Sequence, residues 1–335
     1  MSLGQGLPPD VTTLTIDEGL TPAAVKVRPG RSPSKIAMER LRNDKLALVC
    51  IAVVLFFVIV AIFAPVLTAW EGQNFSDFNT DLVDQYGFPT IGTNSQHWFG
   101  VEPKTGRDLF SQWVYGARPS LEISAVAALT SSIIGVTAGL IAGFSGGWID
   151  RSISWVVDFV LSLPYLLVAI AIIPVAVNWR GGVENLSPTD NANIRFYGLI
   201  FVLVFFGWAG LSRLIRGEVI SLREREFISA AKVLGVPTRR VLTKELLPNL
   251  VAPIVISLSL ALPGYIVAEA GLSFLGVGLI EPIPSWGQMI SKATVYYQAD
   301  PLYLWLPVLG VSLLTLALSW LGDSIRDAFD PKTRR

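Results

Sequence analysis

The sequence predicts an all-α membrane protein that crosses the bilayer several times. Hydrophobic residues make up 52% of the 335 residues and charged residues only 16%, whereas an ordinary soluble domain has about 25% charged residues. The apolar residues are gathered into runs of about 18 or more, which is the length of a bilayer-spanning helix. The formal net charge is zero, so there is no electrostatic argument for a nucleic-acid partner.

The first 45 residues are polar and precede the first apolar run. Residues 1 to about 34 are rich in Pro, Gly, Thr and Ser without periodicity, which predicts a disordered tail. Residues 34–45 predict either a short amphipathic helix at the membrane surface or a plain basic flank. No short apolar region precedes a small-residue cleavage site, so we expect no secretory signal.

Six spans are predicted from the apolar runs, and they define the organisation of the chain. They cover about 46–70, 121–144, 153–177, 197–215, 250–275 and 302–321. The resulting segments are a cytoplasmic tail with a short helix (1–45), a first transmembrane helix (46–70), an extracytoplasmic loop (71–120), a five-helix core (121–322) and a C-terminal tail (323–335).

Proline and glycine positions predict local features of two spans. Pro164 and Pro174 predict a kink in the third span, because proline removes a helical hydrogen bond. Gly135, Gly139 and Gly143 recur at four-residue spacing in the second span. They predict a smooth face that allows another helix to approach closely, and we expect such faces to receive a second membrane subunit.

Basic residues predict the orientation of the chain. Of the 26 lysine and arginine residues, 20 fall in the two tails, the 145–152 turn and the 213–249 loop, and 6 fall in the other three loops. Cytoplasmic loops carry the excess of basic residues. Both termini and the 213–249 loop are therefore predicted to be cytoplasmic.

The 223–248 segment is a long charged stretch between two apolar spans. Its apolar residues Phe227, Ala230, Ala231 and Leu234 follow the spacing of one helical face. Gly235 follows directly and can adopt the left-handed conformation that ends a helix. The segment therefore predicts two short helices with a break between them, and we interpret it as a docking surface rather than a loop that only holds topology.

Two acidic residues fall inside predicted spans. A carboxylate within the bilayer is costly and usually faces protein or water rather than lipid. Glu269 and Asp158 are therefore candidates for the translocation path, and the alternative for Glu269 is an interhelical hydrogen bond. Cys50 and His97 are the single cysteine and histidine, so no cysteine-based metal site is expected, and His97 is interpreted as structural.

The charged stretch also resembles a known signature, EAA-x3-G-x9-I-x-L-P, in permease subunits of ATP-binding-cassette (ABC) importers. Ala230, Ala231, Gly235, Leu247 and Pro248 fall on its spacing, whereas Ser229 stands in place of the usual Glu. In that family the loop is the coupling helix that sits in a cleft of the ATPase subunit. The resemblance implies this role for Arg225, Glu226, Phe227, Ala230, Ala231, Leu234, Gly235, Leu247 and Pro248.

Two further segments resemble the dipeptide and oligopeptide importers, specifically their DppC/OppC-type permease subunits. One is GRDLFSQWVYGARPSL before the second span, and the other is EAGLSFLGVGLIEPIPSWGQM around the end of the fifth. The resemblance implies the type I ABC importer permease fold in a bacterial inner membrane. It also implies a second homologous permease, two ABC ATPases that bind ATP and Mg, and an extracytoplasmic binding protein that delivers peptides.

The chain itself is expected to be a non-catalytic subunit without a cofactor. It contains no G-x4-G-K-[ST] motif, which would cradle phosphates, and no G-x-S-x-G motif. Relatives in the same subfamily carry nickel chelates, glutathione or murein peptides, so these solutes remain alternatives to peptides. A secondary transporter that works alone is the rival class, although we find neither an inverted repeat nor an ionisable relay, which such proteins usually show.

Overall fold

The computed structural model describes residues 33–330, and within this range the chain is helical, with no β-strand. The predicted disordered tail lies almost entirely outside the described residues. The helices of the first half are α1 (Pro33–Asn43), α2 (Lys45–Ile62), α3 (Ala64–Glu71), α4 (Leu109–Ser145), α5 (Gly147–Ser162), α6 (Tyr165–Trp179) and α7 (Pro188–Arg223). Those of the second half are α8 (Glu226–Val233), α9 (Thr238–Arg240), α10 (Leu247–Asn249), α11 (Val251–Phe274), α12 (Trp286–Ala293) and α13 (Pro301–Phe329).

Five of these helices are long and apolar enough to cross a membrane, namely α2, α4, α7, α11 and α13. Helices α5 and α6 make a sixth candidate only when the two are taken together as one broken span, and they meet at an angle of 87°. The break falls at Leu163 and Pro164, so the kink predicted from Pro164 is confirmed. Pro174 lies inside α6 without ending it, and the kink predicted there stays a prediction.

The first predicted span is divided near its end. Helix α2 stops at Ile62, Phe63 adopts a non-helical conformation, and α3 restarts with Pro65 in its first turn. Proline favours this position because it has no N–H to contribute. Helix α3 then ends at Gly72, which has a φ of 84°. The span that the sequence predicts as one helix is therefore a membrane helix followed by a short second helix.

Three helices extend beyond the spans predicted from hydropathy. Helix α4 already begins at Leu109, because the Asp108 carboxylate accepts a hydrogen bond from the N–H of Ser111 at 2.7 Å and caps its N-terminus. Helix α7 begins after Ser187, which caps it in the same way. Helix α13 continues to Phe329, so the first residues of the predicted C-terminal tail are helical. Hydropathy detects only the part of a helix that is apolar.

The hydrophobic core consists of several clusters along the bundle. One cluster surrounds the fully buried Trp286 and Tyr303 and joins α2, α4, α12 and α13. A second joins α4, α6, α7 and α11. A third surrounds Ile215 and Ile228, and it attaches the charged 223–248 segment to the ends of α4 and α7. Arg40 of α1 donates hydrogen bonds to the carbonyl oxygens of Ala328 and Asp330, so α1 is docked on the end of α13.

Candidate functional site

Helix α8 ends in a tight turn that needs glycine. The N–H of Val236 donates to the carbonyl of Ala231, and the N–H of Gly235 donates to the carbonyl of Lys232, each at 3.0 Å. These two bonds form a Schellman motif. In this motif the first residue after the helix cap, here Gly235, adopts the left-handed conformation. Gly235 has a φ of 69°. The break between two helices predicted at Gly235 is therefore present.

The side chains of α8 point in two directions. Ile228 is fully buried in the third core cluster, and Ala231 is half-buried against the same cluster. Three large apolar side chains point outward instead: Phe227 is 43% exposed, Val233 88% and Leu234 80%. The predicted face contained Ala231 and lacked Val233, because a spacing pattern does not show which edge of an apolar stripe meets the core.

The chain after Gly235 continues the same surface. It runs through α9, a π-helical segment (Val241–Leu246) and α10. Val241 and Leu246 are buried, Leu247 is half-buried and Pro248 is exposed. Pro248 cannot donate to the carbonyl four residues before it, and a widened π turn directly before it is one way for a helix to accommodate a proline.

Two cations connect this surface to the end of α4. Arg223, the last residue of α7, donates hydrogen bonds to the carbonyl oxygens of Gly143 and Phe144, both at 3.3 Å. Lys232 of α8 lies over the Phe144 ring, 5.1 Å from its centroid. Positive charge at a helix C-terminus is stabilised by the helix dipole. Helix α8 therefore contacts α4 through Lys232, and it also contacts α7.

Helices α4 and α7 pack closely against each other along the glycine stripe of α4. A Cβ atom added to Gly135 or Gly139 would lie 2.7 Å from a carbonyl oxygen of α7, and one added to Gly143 would lie 2.8 Å from Val219. The close contact expected from these glycines is therefore made within this chain. Our expectation that the stripe receives a second membrane subunit is wrong, because α7 already covers it.

Glu269 of α11 lies inside the bundle with no exposed surface. Its carboxylate accepts a hydrogen bond from the hydroxyl of Ser120 at 2.5 Å and another from that of Ser273 at 2.9 Å. The Ser120 bond joins α11 to α4, which is the arrangement that the alternative of an interhelical hydrogen bond requires. A direct contact between Glu269 and a solute would need the helices to separate, so its role in the path stays a prediction.

Asp158 of α5 is paired with Arg213 of α7, and both side chains are more than half exposed. One turn away on α7, Arg216 pairs with Asp150 of α5. The two arginines explain how carboxylates are tolerated on α5, since each has a cation within reach on the neighbouring helix. The place of Asp158 on the translocation path also stays a prediction.

The residues before α4 contain a buried charge network that sequence reasoning missed. Glu102 receives hydrogen bonds from Arg107, Gln112 and Tyr303, and Lys292 pairs with it at 3.2 Å. Burial alone raises the pKa of Glu102, but Lys292 and Arg107 together hold that pKa below its ordinary value. The network joins the segment before α4 to α12 and α13. The sequence signal for this network is that Glu102 and Arg107 flank a turn in the motif that precedes α4.

A second buried group lies beside that network. The Nδ1 atom of His97 is 2.9 Å from Asp108, which confirms a structural contact for His97. Glu71, only 8% exposed, faces the same aspartate. Burial raises the pKa of Glu71 to about 7. The hydrogen bond from the N–H of Trp98 lowers this pKa, and the charge of Asp108 raises it further. Among residues 33–330 no group of three ligating side chains could hold a metal ion.

The chain matches two family descriptions. Residues 135–335 match "Binding-protein-dependent transport system inner membrane component". Residues 32–83 match "N-terminal TM domain of oligopeptide transport permease C". The first match includes α8 and most of the helices that support it, and the second includes α1, α2 and α3.

Curated relatives agree with these family matches. The dipeptide transport system permease protein DppC of Alkalihalophilus pseudofirmus is 37% identical over 90% of this chain and 91% of its own length. The oligopeptide transport system permease protein OppC of Bacillus subtilis is 32% identical over 90% of both chains. The glutathione transport system permease protein GsiD of Shigella dysenteriae is also 32% identical, over 91% of this chain and 92% of its own.

A solved structure resembles the fold. A chain of the MetNI methionine ABC transporter in an inward-facing conformation has a TM-score of 0.50 and 19% identity, over 65% of this chain and 96% of its own. At this identity the likeness concerns the fold alone, which is that of a type I ABC importer permease. With the family matches and the curated relatives, it follows that this chain is a member of the inner-membrane permease components of binding-protein-dependent ABC importers, in their dipeptide and oligopeptide branch.

Proposed function

We propose that this chain is one permease subunit of an ATP-driven importer that carries di- or oligopeptides across a bacterial inner membrane. An extracytoplasmic binding protein delivers the peptide, and a second homologous permease supplies the other half of the path. Two ABC ATPase subunits hold ATP and Mg and perform hydrolysis, so this chain is not itself an enzyme. Both termini and the 223–248 loop face the cytoplasm in this arrangement.

The observation that carries the proposal is the two-sided construction of α8. Ile228 anchors the helix in the third core cluster of the protein, while Phe227, Val233 and Leu234 present apolar surface outward. Exposed apolar clusters of this kind mark interaction sites. The small Ala230, exposed between these side chains, allows a partner surface to approach the backbone closely. We assign this face to the contact with the ATPase subunit.

The solute is proposed from the relatives rather than from the site. Curated relatives named for dipeptide and oligopeptide transport are 32–37% identical to this chain. One relative named for glutathione transport is 32% identical, over a similar share of the chain. Glutathione is therefore the second candidate solute. Membership of an importer family argues against the alternative of a secondary transporter that works alone.

The test of the coupling surface is the ATPase activity of the reconstituted transporter with and without loaded binding protein. Ala230→Arg and Leu234→Asp should abolish either assembly with the ATPases or the stimulation by binding protein, while insertion into the membrane is retained. Gly235→Val should act in the same direction, because valine strains the left-handed turn by about 1 kcal/mol or more. Ser152→Arg, at an exposed position on α5, is the matched control.

The outcome also decides between the classes of transporter. Normal assembly and normal stimulation in all three loop variants would remove the coupling assignment. Uptake of peptide by this chain alone, driven by an ion gradient in proteoliposomes, would remove the importer proposal altogether. Substrate competition between dipeptides and glutathione in the complete complex separates the two candidate solutes.

A further inference from the structure

A cavity of about 580 Å³ opens between the end of α6 and the start of α7. Its size falls within the usual range for small-molecule sites. Ala176 and Gly198 are small residues in its lining, and a Cβ atom added to Gly198 would be in ordinary van der Waals contact with the Ile173 side chain, 3.5 Å away. Its walls carry the exposed aromatic side chains of Trp179 and Tyr197.

Two opposite charges line this cavity and do not neutralise each other. Arg180 makes no ion pair or side-chain hydrogen bond with any residue in the described range 33–330. Asp190 uses one carboxylate oxygen, Oδ2, to accept a hydrogen bond from Ser187 at 2.6 Å, and no described residue donates to its Oδ1 atom. A cation and an anion therefore remain available to a bound molecule.

A short loop between α6 and α7 connects these two charged residues. Arg180 directly follows α6, and Asp190 lies in the first turn of α7. Between them the chain reverses through Gly181 and Gly182, whose φ values are 125° and 78°. The N–H of Gly182 donates back to the carbonyl of Val177 at 3.1 Å, which holds the reversal in place.

Two ordinary explanations account for only part of this arrangement. The helix dipole favours an arginine after α6 and an aspartate at the start of α7. Tryptophan and tyrosine are common where helices leave a bilayer. Neither explanation requires a cavity of this size between the two charges, nor small residues at its floor.

We propose that this cavity is a subsite for a zwitterionic short peptide. Arg180 binds the peptide carboxylate, for which its planar guanidinium is suited. Asp190 binds the peptide ammonium group, and the aromatic walls contact both that ammonium group and an apolar peptide side chain. This inference rests on the proposed peptide import and adds a place where this subunit contacts the solute itself.

The test measures binding of peptides with blocked ends. The purified full transporter is placed in phosphatidylcholine nanodiscs without binding protein, and alanyl-phenylalanine, its C-terminal amide and its N-acetyl derivative are titrated calorimetrically. Arg180→Gln should weaken binding of the free dipeptide roughly tenfold or more, as expected for a lost charged hydrogen bond. It should leave the affinity for the C-terminal amide unchanged. Asp190→Asn should weaken binding of the free dipeptide and leave the affinity for the N-acetyl derivative unchanged.

Matched controls come from charges outside the cavity. Glu184→Gln removes an exposed carboxylate from the same loop, and Lys104→Gln removes an exposed cation before α4; both should bind all three peptides as the unmodified protein does. Gly198→Leu should fill part of the cavity and weaken the binding of all three peptides. Thermal unfolding of each variant confirms that the fold is retained.

Several results would overturn the subsite. One is that the unmodified complex binds no peptide. Another is that each charge variant loses as much affinity for the blocked peptides as for the free dipeptide. Competition of phosphatidylethanolamine with the peptide would instead assign the cavity to a lipid headgroup, and this also overturns it. If the charge variants bind normally while the complex still imports peptide, only the subsite fails; if the complex imports no peptide, the proposed function fails first.

Discussion

Lys232 lies over the aromatic ring of Phe144, with its ammonium nitrogen 5.1 Å from the ring centroid. This contact joins the exposed helix α8 to the last turn of α4, although the two residues are far apart in the sequence. Arg223 of α7 donates hydrogen bonds to carbonyl oxygens of the same turn, so α8 is attached where α4 and α7 pack together. The contacts of α8 and of the preceding Arg223 therefore reach both α4 and α7.

Removal of the Lys232 charge should loosen α8 without unfolding the protein. A cation over an exposed ring contributes about 0.5–1 kcal/mol, so Lys232→Met should increase amide hydrogen exchange in α8 by a factor of roughly two to five. Arg239→Met changes an exposed cation on α9 and should leave α8 exchange unaltered. Equal exchange in Lys232→Met and the unmodified protein would show that the ring contact does not hold α8.

The glycine stripe of α4 should tolerate no side chain where α7 crosses it. In Gly139→Ala the new Cβ would lie 2.7 Å from the Ser212 carbonyl oxygen and 2.8 Å from the Ile215 Cβ. Overpacking of this kind costs about 1–3 kcal/mol, which corresponds to a fall of several degrees in the unfolding midpoint. The measurement is thermal unfolding of the purified protein in detergent.

The control for this prediction lies on α7 itself. Gly210 sits within α7 and has no atom within 4 Å of an added Cβ. Gly210→Ala should therefore be neutral or slightly stabilising, because alanine favours helix more than glycine does. A Gly139→Ala midpoint no lower than that of Gly210→Ala would contradict the close contact.

The stability of the segment before α4 should fall as the pH rises towards and through 7. The pKa of Glu71 is raised to about 7 from an ordinary value of 4.5, so the folded protein binds a proton more tightly than the unfolded chain. This contribution to stability is fully present below about pH 4.5 and is lost as the pH rises through about 7. The titratable groups nearby are Asp108 and His97, which is hydrogen-bonded to Asp108.

Glu71→Gln isolates this contribution. The amide oxygen can still accept the hydrogen bond from the N–H of Trp98, which lies 2.8 Å from the carboxylate in the unmodified protein, but the side chain no longer titrates. Between about pH 5 and 8 the unfolding midpoint of the variant should vary less than that of the unmodified protein. Parallel pH profiles for the two proteins would show that Glu71 titrates in its ordinary range.

Two substitutions of Glu269 should distinguish a structural role of its carboxylate from a direct contact with the solute. Glu269→Leu leaves the hydroxyls of Ser120 and Ser273 without their acceptor, which costs roughly 1–3 kcal/mol and should lower the unfolding midpoint. Glu269→Gln keeps an acceptor and removes the charge, so it should be less destabilising. Uptake of cationic and neutral peptides by the Gln variant in the complete complex then tests the path: equal uptake, unchanged from the unmodified complex, would end the pathway interpretation.

The sequence predicted some elements well and others poorly, for identifiable reasons. Apolar runs located the spans, and the glycine at position 235 located the end of α8, because both signals are local. The start of α4 at Leu109 was not predicted, since its cap is a single aspartate within a polar loop. The network around Glu102 was also missed, because its partners Lys292 and Tyr303 are about 200 residues away.

By itself, the sequence determined that the chain is an all-helical membrane protein with a two-helix charged loop. Hydropathy, glycine spacing and charge counts act over a few turns of chain, so they need no knowledge of neighbours. Only the tertiary structure decided which surfaces are free. In the described part of the chain, α7 covers the Gly135–Gly143 stripe, two serines enclose the Glu269 carboxylate, Leu234 points outward, and Arg180 lies at a cavity without an ion pair. Each of these outcomes depends on which distant helix lies alongside, and local sequence does not encode that arrangement in a readable form.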